Sequence, residues 1–413
     1  MSFRNRVMSL SFFVFLPIFF TAFASAAAPR VKLLYSFAGG ADGQYPDTTL
    51  ARDQFGDLYG VTTQGGVFGH GTVFELTFNG IHRVLYNFSG ASDGSEPSKG
   101  VYVDWDGKTI YGATLNGGGG SCPEGCGTFY KLTKTGDEEF SFATIYSFTG
   151  ASDGAHPASP LLLAVLPIWN FYGMTTEGGA YGFGVIYDFQ QDTHNKWHYH
   201  VIYNFRGTTD GVGNSSPLAM GKKFLMGTSP VGGVNGKGAI FELSYPGQTT
   251  GEWIFSTMHS FTDSPDGALP LGGLALRGED FYGVTSSGGA YGFGTVFQWR
   301  VFDAYRVLYN FKGASDGANP IATPVTTYDF AHIYGTTTTG GDEACSCGTL
   351  FRIFLNAQGG ANENIVLRMT GAPTIGLSYD QMFKTSDTSD GPYYGATVTG
   401  GTSNNGAIYE LLP

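Results

Sequence analysis

Charge is scarce in this chain, cysteine is scarcer, and no segment carries the 3.6-residue apolar period of a helix. Lys, Arg, Asp and Glu make up 14% of the 413 residues, against about 25% in an ordinary soluble domain. No basic cluster offsets the net charge of -12, which argues against nucleic acid and anionic lipid headgroups as partners. Beyond the N-terminus nothing is apolar for long enough to span a bilayer, so no membrane span is expected in the mature chain. The eight His residues share no repeat position, and no Ser, His and Asp set or metal-ligand spacing stands out. No catalytic residue, metal or cofactor is therefore assigned.

What is abundant is Gly, 64 residues, about twice the usual share, together with aromatic residues at 15% and a hydrophobic fraction of 42%. Such a chain has many turns and enough apolar surface to fold. Its first residues read as targeting. Arg4 and Arg6 precede an apolar stretch over 8–24, and Ala24, Ser25 and Ala26 are small. This pattern predicts a cleaved signal peptide over 1–28 and a secreted or extracytoplasmic protein.

The stretch LYGVTTQGGVFGHGTVFEL, beginning at Leu58, returns as FYGVTSSGGAYGFGTVFQW, beginning at Phe281. The Gly inside the LYG run recurs at Gly60, Gly112, Gly173, Gly227, Gly283, Gly335 and Gly395, at intervals of 52, 61, 54, 56, 52 and 60 residues. Each copy holds four strand-like runs: an aromatic run such as VLYNF, a short apolar run after a D-G-x-x-P turn, the LYG run and the GTVFEL run. Thr-rich and aromatic strands at this period predict one domain over 29–413, an all-β, seven-bladed β-propeller with four strands per blade. The units run over about 31–81, 82–141, 142–199, 200–253, 254–304, 305–361 and 362–413. Because the mature chain opens on an aromatic run and ends on a GTVFEL equivalent, the N-terminal strand, 31–37, is expected to complete the last blade with 375–411 and so close the ring.

The runs LYSFAGGADGQYP and DQFGDLYGVTTQGGVFGHGTVF, and their copies at Val84, Thr257 and Val307, resemble the GloVer-type extracellular tandem repeat of bacterial secreted and surface proteins. The likeness covers the whole mature chain and is weakest in the fourth and seventh copies. It implies a propeller-like extracellular protein and carries over no catalytic residue.

Three sets of residues recur at fixed places. Asp42, Asp93, Asp153, Asp266 and Asp316 each stand in D-G-x-x-P, and Asp210 keeps the Gly without the Pro. These are read as turn residues, the carboxylate accepting backbone N–H groups two or so residues ahead while the Gly takes a positive φ; a cation-binding ring is the alternative. The double-Gly loops, such as Gly65-Gly66 and Gly288-Gly289, precede no helix and are read as turns, not as phosphate cradles. Cys122 with Cys126, and Cys345 with Cys347, replace that loop in copies two and six. In an exported protein these are expected as local disulfides, with zinc bound by the four thiolates as the alternative.

The third set is aromatic. GGVFGHG and the twice-written GGAYGFG place Phe68, His70, Tyr181, Phe183, Tyr291 and Phe293 in loops on the face of the D-G-x-x-P turns. Such rings either pack on the neighbouring blade or offer stacking area to sugar faces. His194, His198 and His200, around Trp197, read as surface or packing residues. The functional expectation is a monomeric secreted binding or scaffold module for a polysaccharide or a cell-surface protein. The alternative is a propeller enzyme acting on carbohydrate or a lactone at the central channel.

Overall fold

The Gly inside each LYG run is fixed by the residue it faces across the ladder. In the computed structural model, which describes residues 29–165, 169–245, 252–300, 305–328, 331–355, 361–371, 376, 382–384 and 391–412, these glycines pair with Phe74, Tyr130, Tyr187, Phe241, Phe297, Phe351 and Tyr409. A Cβ on Gly283 would lie 2.4 Å from the Phe297 ring, and one on Gly112 would lie 2.3 Å from the Tyr130 hydroxyl. The aromatic ring of the third strand thus lies flat over the second, and only hydrogen fits beneath it.

Seven antiparallel blades result, each built on four strands. Blade 1 runs outward from the channel through Ala51–Arg52, Leu58–Thr62, Thr72–Leu76 and His82–Asn87. Blades 2 to 6 follow the same plan over 95–147, 155–204, 219–260, 275–310 and 325–368. In blade 3 the innermost position is shared by Ala155–Pro157 and Leu162–Val165, both paired with Trp169–Glu177. Blade 7 comprises Phe383–Lys384, Tyr393–Thr397 and Ala407–Leu412, and its outermost strand is Arg30–Ser36, paired from Arg30 with Leu412 to Ser36 with Ala407. The ring is closed as expected, leaving no blade with an unpaired third strand. Ile375 and residues 1–28, where a signal peptide is expected, lie outside the described residues. Among the described residues the only helical turns are two 3₁₀ segments, Gly40–Asp42 and Ala314–Asp316.

All seven outermost strands carry a bulge one residue before the aromatic of the VLY-type run, or before Leu367 in blade 6, which lacks that aromatic; the register slips between, for example, Val73 and Phe74 of the facing strand. The bulge twists the strand and aims its aromatic at the next blade. Tyr35 stacks on His82, Tyr86 on Phe142, Tyr146 on Tyr199, Tyr203 on Phe255 and His259 on Tyr305, with ring centroids 4.0 to 4.6 Å apart. Where the sixth such pair would form, Glu363 stands at the position of the ring facing Tyr309.

Candidate functional site

The D-G-x-x-P turns and the double-Gly loops share one face. In blade 1 the Gly66 N–H donates to the Gly40 carbonyl at 2.8 Å, and Gln44 bridges Gln64. The turn carboxylates face inward to the preceding strand. Asp42, Asp93, Asp153, Asp210 and Asp316 each accept the hydroxyl of the Tyr seven residues earlier, at 2.7 to 2.9 Å, and Asp266 takes His259 Nε2 at 3.0 Å. Each also accepts the backbone N–H four residues earlier, at 2.7 to 3.0 Å. The principal donors are therefore upstream of the Asp, not ahead of it, because the 3₁₀-like turn folds the carboxylate back over the end of the aromatic strand. The following glycines have φ between 82° and 105°. A Cβ there would also strike the buried Thr of the LYG-type strand, 2.2 Å from Thr114 Oγ1 for Gly94.

Neighbouring blades are joined by a second repeated device. The residue before the Pro of each turn has a left-handed backbone in Tyr45, Glu96, His156, Leu269 and Asn319, with φ of 52° to 56°. Few non-Gly residues adopt this conformation. It aims the backbone N–H at the preceding blade: Tyr45 donates to Asn405 O, Glu96 to His70 O, His156 to Cys126 O, Leu269 to Lys237 O and Asn319 to Phe293 O, at 2.9 to 3.0 Å. Gly213 does the same to Phe183 O at 2.8 Å.

These acceptors divide the six candidate aromatic positions into two kinds. The side chains of His70, Phe183 and Phe293 lie over Gly90, Gly207 and Gly313 of the next turn, where a Cβ would come within 2.5 to 3.0 Å of the ring. They act as staples between blades. In blades 2 and 6 the same place is taken by sulfur. Cys122 is joined to Cys126 and Cys345 to Cys347, with Cys126 Sγ 2.6 Å from a Cβ on Gly150 and Cys347 Sγ 3.3 Å from one on Gly371. In blade 4 an ion pair, Lys237 to Asp263 at 2.8 Å, links the corresponding loop and turn.

Phe68, Tyr181 and Tyr291 are the other kind. They are 59%, 56% and 56% exposed. Their loops are held from below, since the N–H groups of Val67, Ala180 and Ala290 donate at 2.7 to 2.8 Å to Asn87, Asn204 and Asn310 of the adjoining aromatic strand. These three rings stand on one face with most of their surface in solvent.

Two further features were not legible in the sequence. The central channel holds a cavity of about 160 Å³ lined by residues of six blades, among them Thr49, Lys99, Pro160, Ser216, Leu271 and Ile321. Lys99 Nζ donates to both carboxylate oxygens of Asp47, at 2.8 and 2.7 Å. The second is a groove of about 590 Å³ on the side of the ring between blades 3 and 4, beneath Tyr181. In it Asp188 accepts from His200 Nδ1 at 2.8 Å, and burial raises the Asp188 carboxyl above its ordinary value while His200 and Asn170 oppose the rise. Among the described residues no group of three or more His, Cys, Asp or Glu is placed to hold a metal.

Seven repeated blades joined by staples, with exposed rings raised on one face, define a repeat-built β-propeller. The chain belongs to the Gloeobacter/Verrucomicrobia repeat family, whose repeat matches residues 21–166, 119–280 and 248–413. No curated protein matches it. Among solved structures it is similar to a Trichoderma reesei carbohydrate-active enzyme of family AA12, at 12% identity over 94% of this chain and 96% of that one, with a TM-score of 0.46. It is also similar to a hypothetical selenium-binding protein of Sulfolobus tokodaii, at 12% identity over 75% and 74%, with a TM-score of 0.47. A Thermus putative oxidoreductase (glucose dehydrogenase) matches at 13% identity over 93% and 100%, with a TM-score of 0.44.

Proposed function

We propose that this protein is an exported carbohydrate-binding module whose ligand-meeting surface is the loop face of the propeller. The observation that carries this reading is the exposure of Phe68, Tyr181 and Tyr291 on loops pinned by backbone hydrogen bonds. A rigid, solvent-facing ring gains stacking energy from the C–H face of a sugar and loses little conformational freedom in doing so. The two disulfides accord with an oxidising compartment, and the residues over 1–28 read as the export signal. The catalytic alternative would use the central channel. There the Asp47 and Lys99 side chains are engaged with each other and the opposite wall carries Leu271 and Ile321, an arrangement that favours packing over acid–base work. A glycan array probed with the mature protein, beside a reducing-sugar release assay, tests the reading. Binding without release supports it, whereas sugar release, or an array without signal, overturns it.

A further inference from the structure

We infer that the side groove between blades 3 and 4 is the principal sugar subsite, and that its ligand is an uncharged oligosaccharide segment. This rests on the carbohydrate-binding reading above and assigns it to one place.

The groove follows the outermost strand of blade 3 from His200 to Arg206, about 20 Å of extended chain. An aromatic ring stands at each end: Tyr181 at the loop face, half in solvent, and half-buried Trp253, whose ring is fixed edge-on against Tyr172 and Tyr245 at 6.0 and 5.3 Å. Between them the wall supplies Asp188 and Glu252 as acceptors, Arg206 as a donor, and Asn204, whose Oδ1 is taken by the Ala180 N–H while its amide hydrogens face no partner among the described residues. Two flat rings separated by alternating acceptors and donors match a pyranose chain, which offers apolar faces and a fringe of hydroxyls that both donate and accept.

No ion pair between side chains of the two blades crosses this groove among the described residues. Between blades 1 and 2 the matching site is crossed by Arg83, which reaches Glu75 at 3.1 Å and Glu138 at 2.9 Å and so ties the two blades together. Between blades 3 and 4, His200 stands where Arg83 does and Asp188 where Glu75 does, while Glu252, on the facing segment, matches Glu139, the residue after Glu138. The shorter imidazole stops at Asp188. Glu252 is left exposed and without an ion pair among the described residues, so no bridge spans the gap. Both signs of charge line the groove, and the whole chain carries -12. An anionic polysaccharide would meet net repulsion, so the ligand is neutral.

Affinity gel electrophoresis of the mature protein, in gels carrying hydroxyethylcellulose, soluble starch or polygalacturonate, tests this. Retardation is expected in a neutral gel and not in polygalacturonate. Tyr181→Ala and Trp253→Ala should each weaken retardation about three- to tenfold, more than Tyr291→Ala, in the matching loop of blade 5. Because Trp253 also packs against Tyr172 and Tyr245, Arg206→Ala and Glu252→Gln provide a second pair of variants, expected to weaken retardation at unchanged melting temperature. Equal losses from Tyr181→Ala and Tyr291→Ala, with none from Trp253→Ala, Arg206→Ala or Glu252→Gln, would keep a binding face and discard the groove. Retardation only by polygalacturonate overturns the neutral ligand, and no retardation in any gel overturns both readings.

Discussion

Replacing Gly283 with Ala isolates the contact that repeats in every blade. Gly283 does not have a positive φ, so Ala can adopt its backbone. On conformational grounds alone the change would stabilise the fold by about 0.4–1 kcal/mol, through the unfolded chain. Sterically, however, the new Cβ would lie 2.4 Å from Phe297 Cζ and 3.0 Å from Leu274 Cδ2, roughly 1 Å inside ordinary contact. Both side chains are buried, so the ring has nowhere to retreat, and overpacking of this kind costs about 1–3 kcal/mol. The steric effect therefore wins, and the net loss is about 1–2 kcal/mol. At about 2.1 cal/mol/K per residue over roughly 385 residues, each kcal/mol moves Tm by about 1 °C. The single change is thus small, and its diagnostic value lies in a double-mutant cycle read by scanning calorimetry. Phe297→Leu removes the ring tip and costs about 1–3 kcal/mol as a cavity. In that background Gly283→Ala should become neutral or stabilising, a coupling of about 1–2 kcal/mol. If Gly283→Ala lowers Tm equally in both backgrounds, the ring does not explain the glycine.

Three further outcomes follow from the same geometry. Removing residues 30–36 should expose the edge of Ala407–Leu412 and aggregate or strongly destabilise the protein; a truncated chain that melts like the parent in the same calorimeter refutes closure by this strand. Asp153→Asn should cost about 1 kcal/mol because an amide oxygen can still accept from Tyr146 or Thr149, whereas Gly154→Val should be far worse, since φ is 86° and a Cβ would meet Thr175 Oγ1 at 2.4 Å; equal midpoints in urea titrations would contradict the turn. Glu363 has its carboxyl pushed up to about 7 by burial and the neighbouring Asp316 charge, and its Oε1 lacks a hydrogen-bond partner. The folded state then holds a proton that the unfolded state releases, so stability should fall as pH rises from about 4.5 to about 7 and stay level above. Glu363→Gln should flatten that slope and raise Tm at pH 8, and an unchanged slope would rule the effect out.

The spacing of seven glycines, the fourfold strand pattern and the unmatched aromatic run at Val31 were enough to read a closed seven-bladed propeller. These features are local and repeat, so each copy corroborates the next. The positive φ of the Gly after each turn Asp was also legible, because φ beyond +80° leaves few choices but Gly, whereas the donors upstream of the Asp were not. What the chain could not disclose arises between copies. The difference between Phe183, stapled over Gly207 and 42% exposed, and Tyr181, 56% exposed, is invisible in the string GGAYGFG, since both rings sit in one loop and only the next blade decides which lies over its glycine. Disulfides at Cys122 and Cys345 take the place of aromatic staples for the same reason: the shared requirement is a group that covers a glycine some 20 to 28 residues further along. The strand bulge leaves no mark in VLYNF. The groove beneath Tyr181 depends on His200, Arg206, Glu252 and Trp253, drawn from two blades. Sequence determines what each blade is; the meeting of unlike side chains at blade borders, which only tertiary packing sets, determines where a ligand can enter.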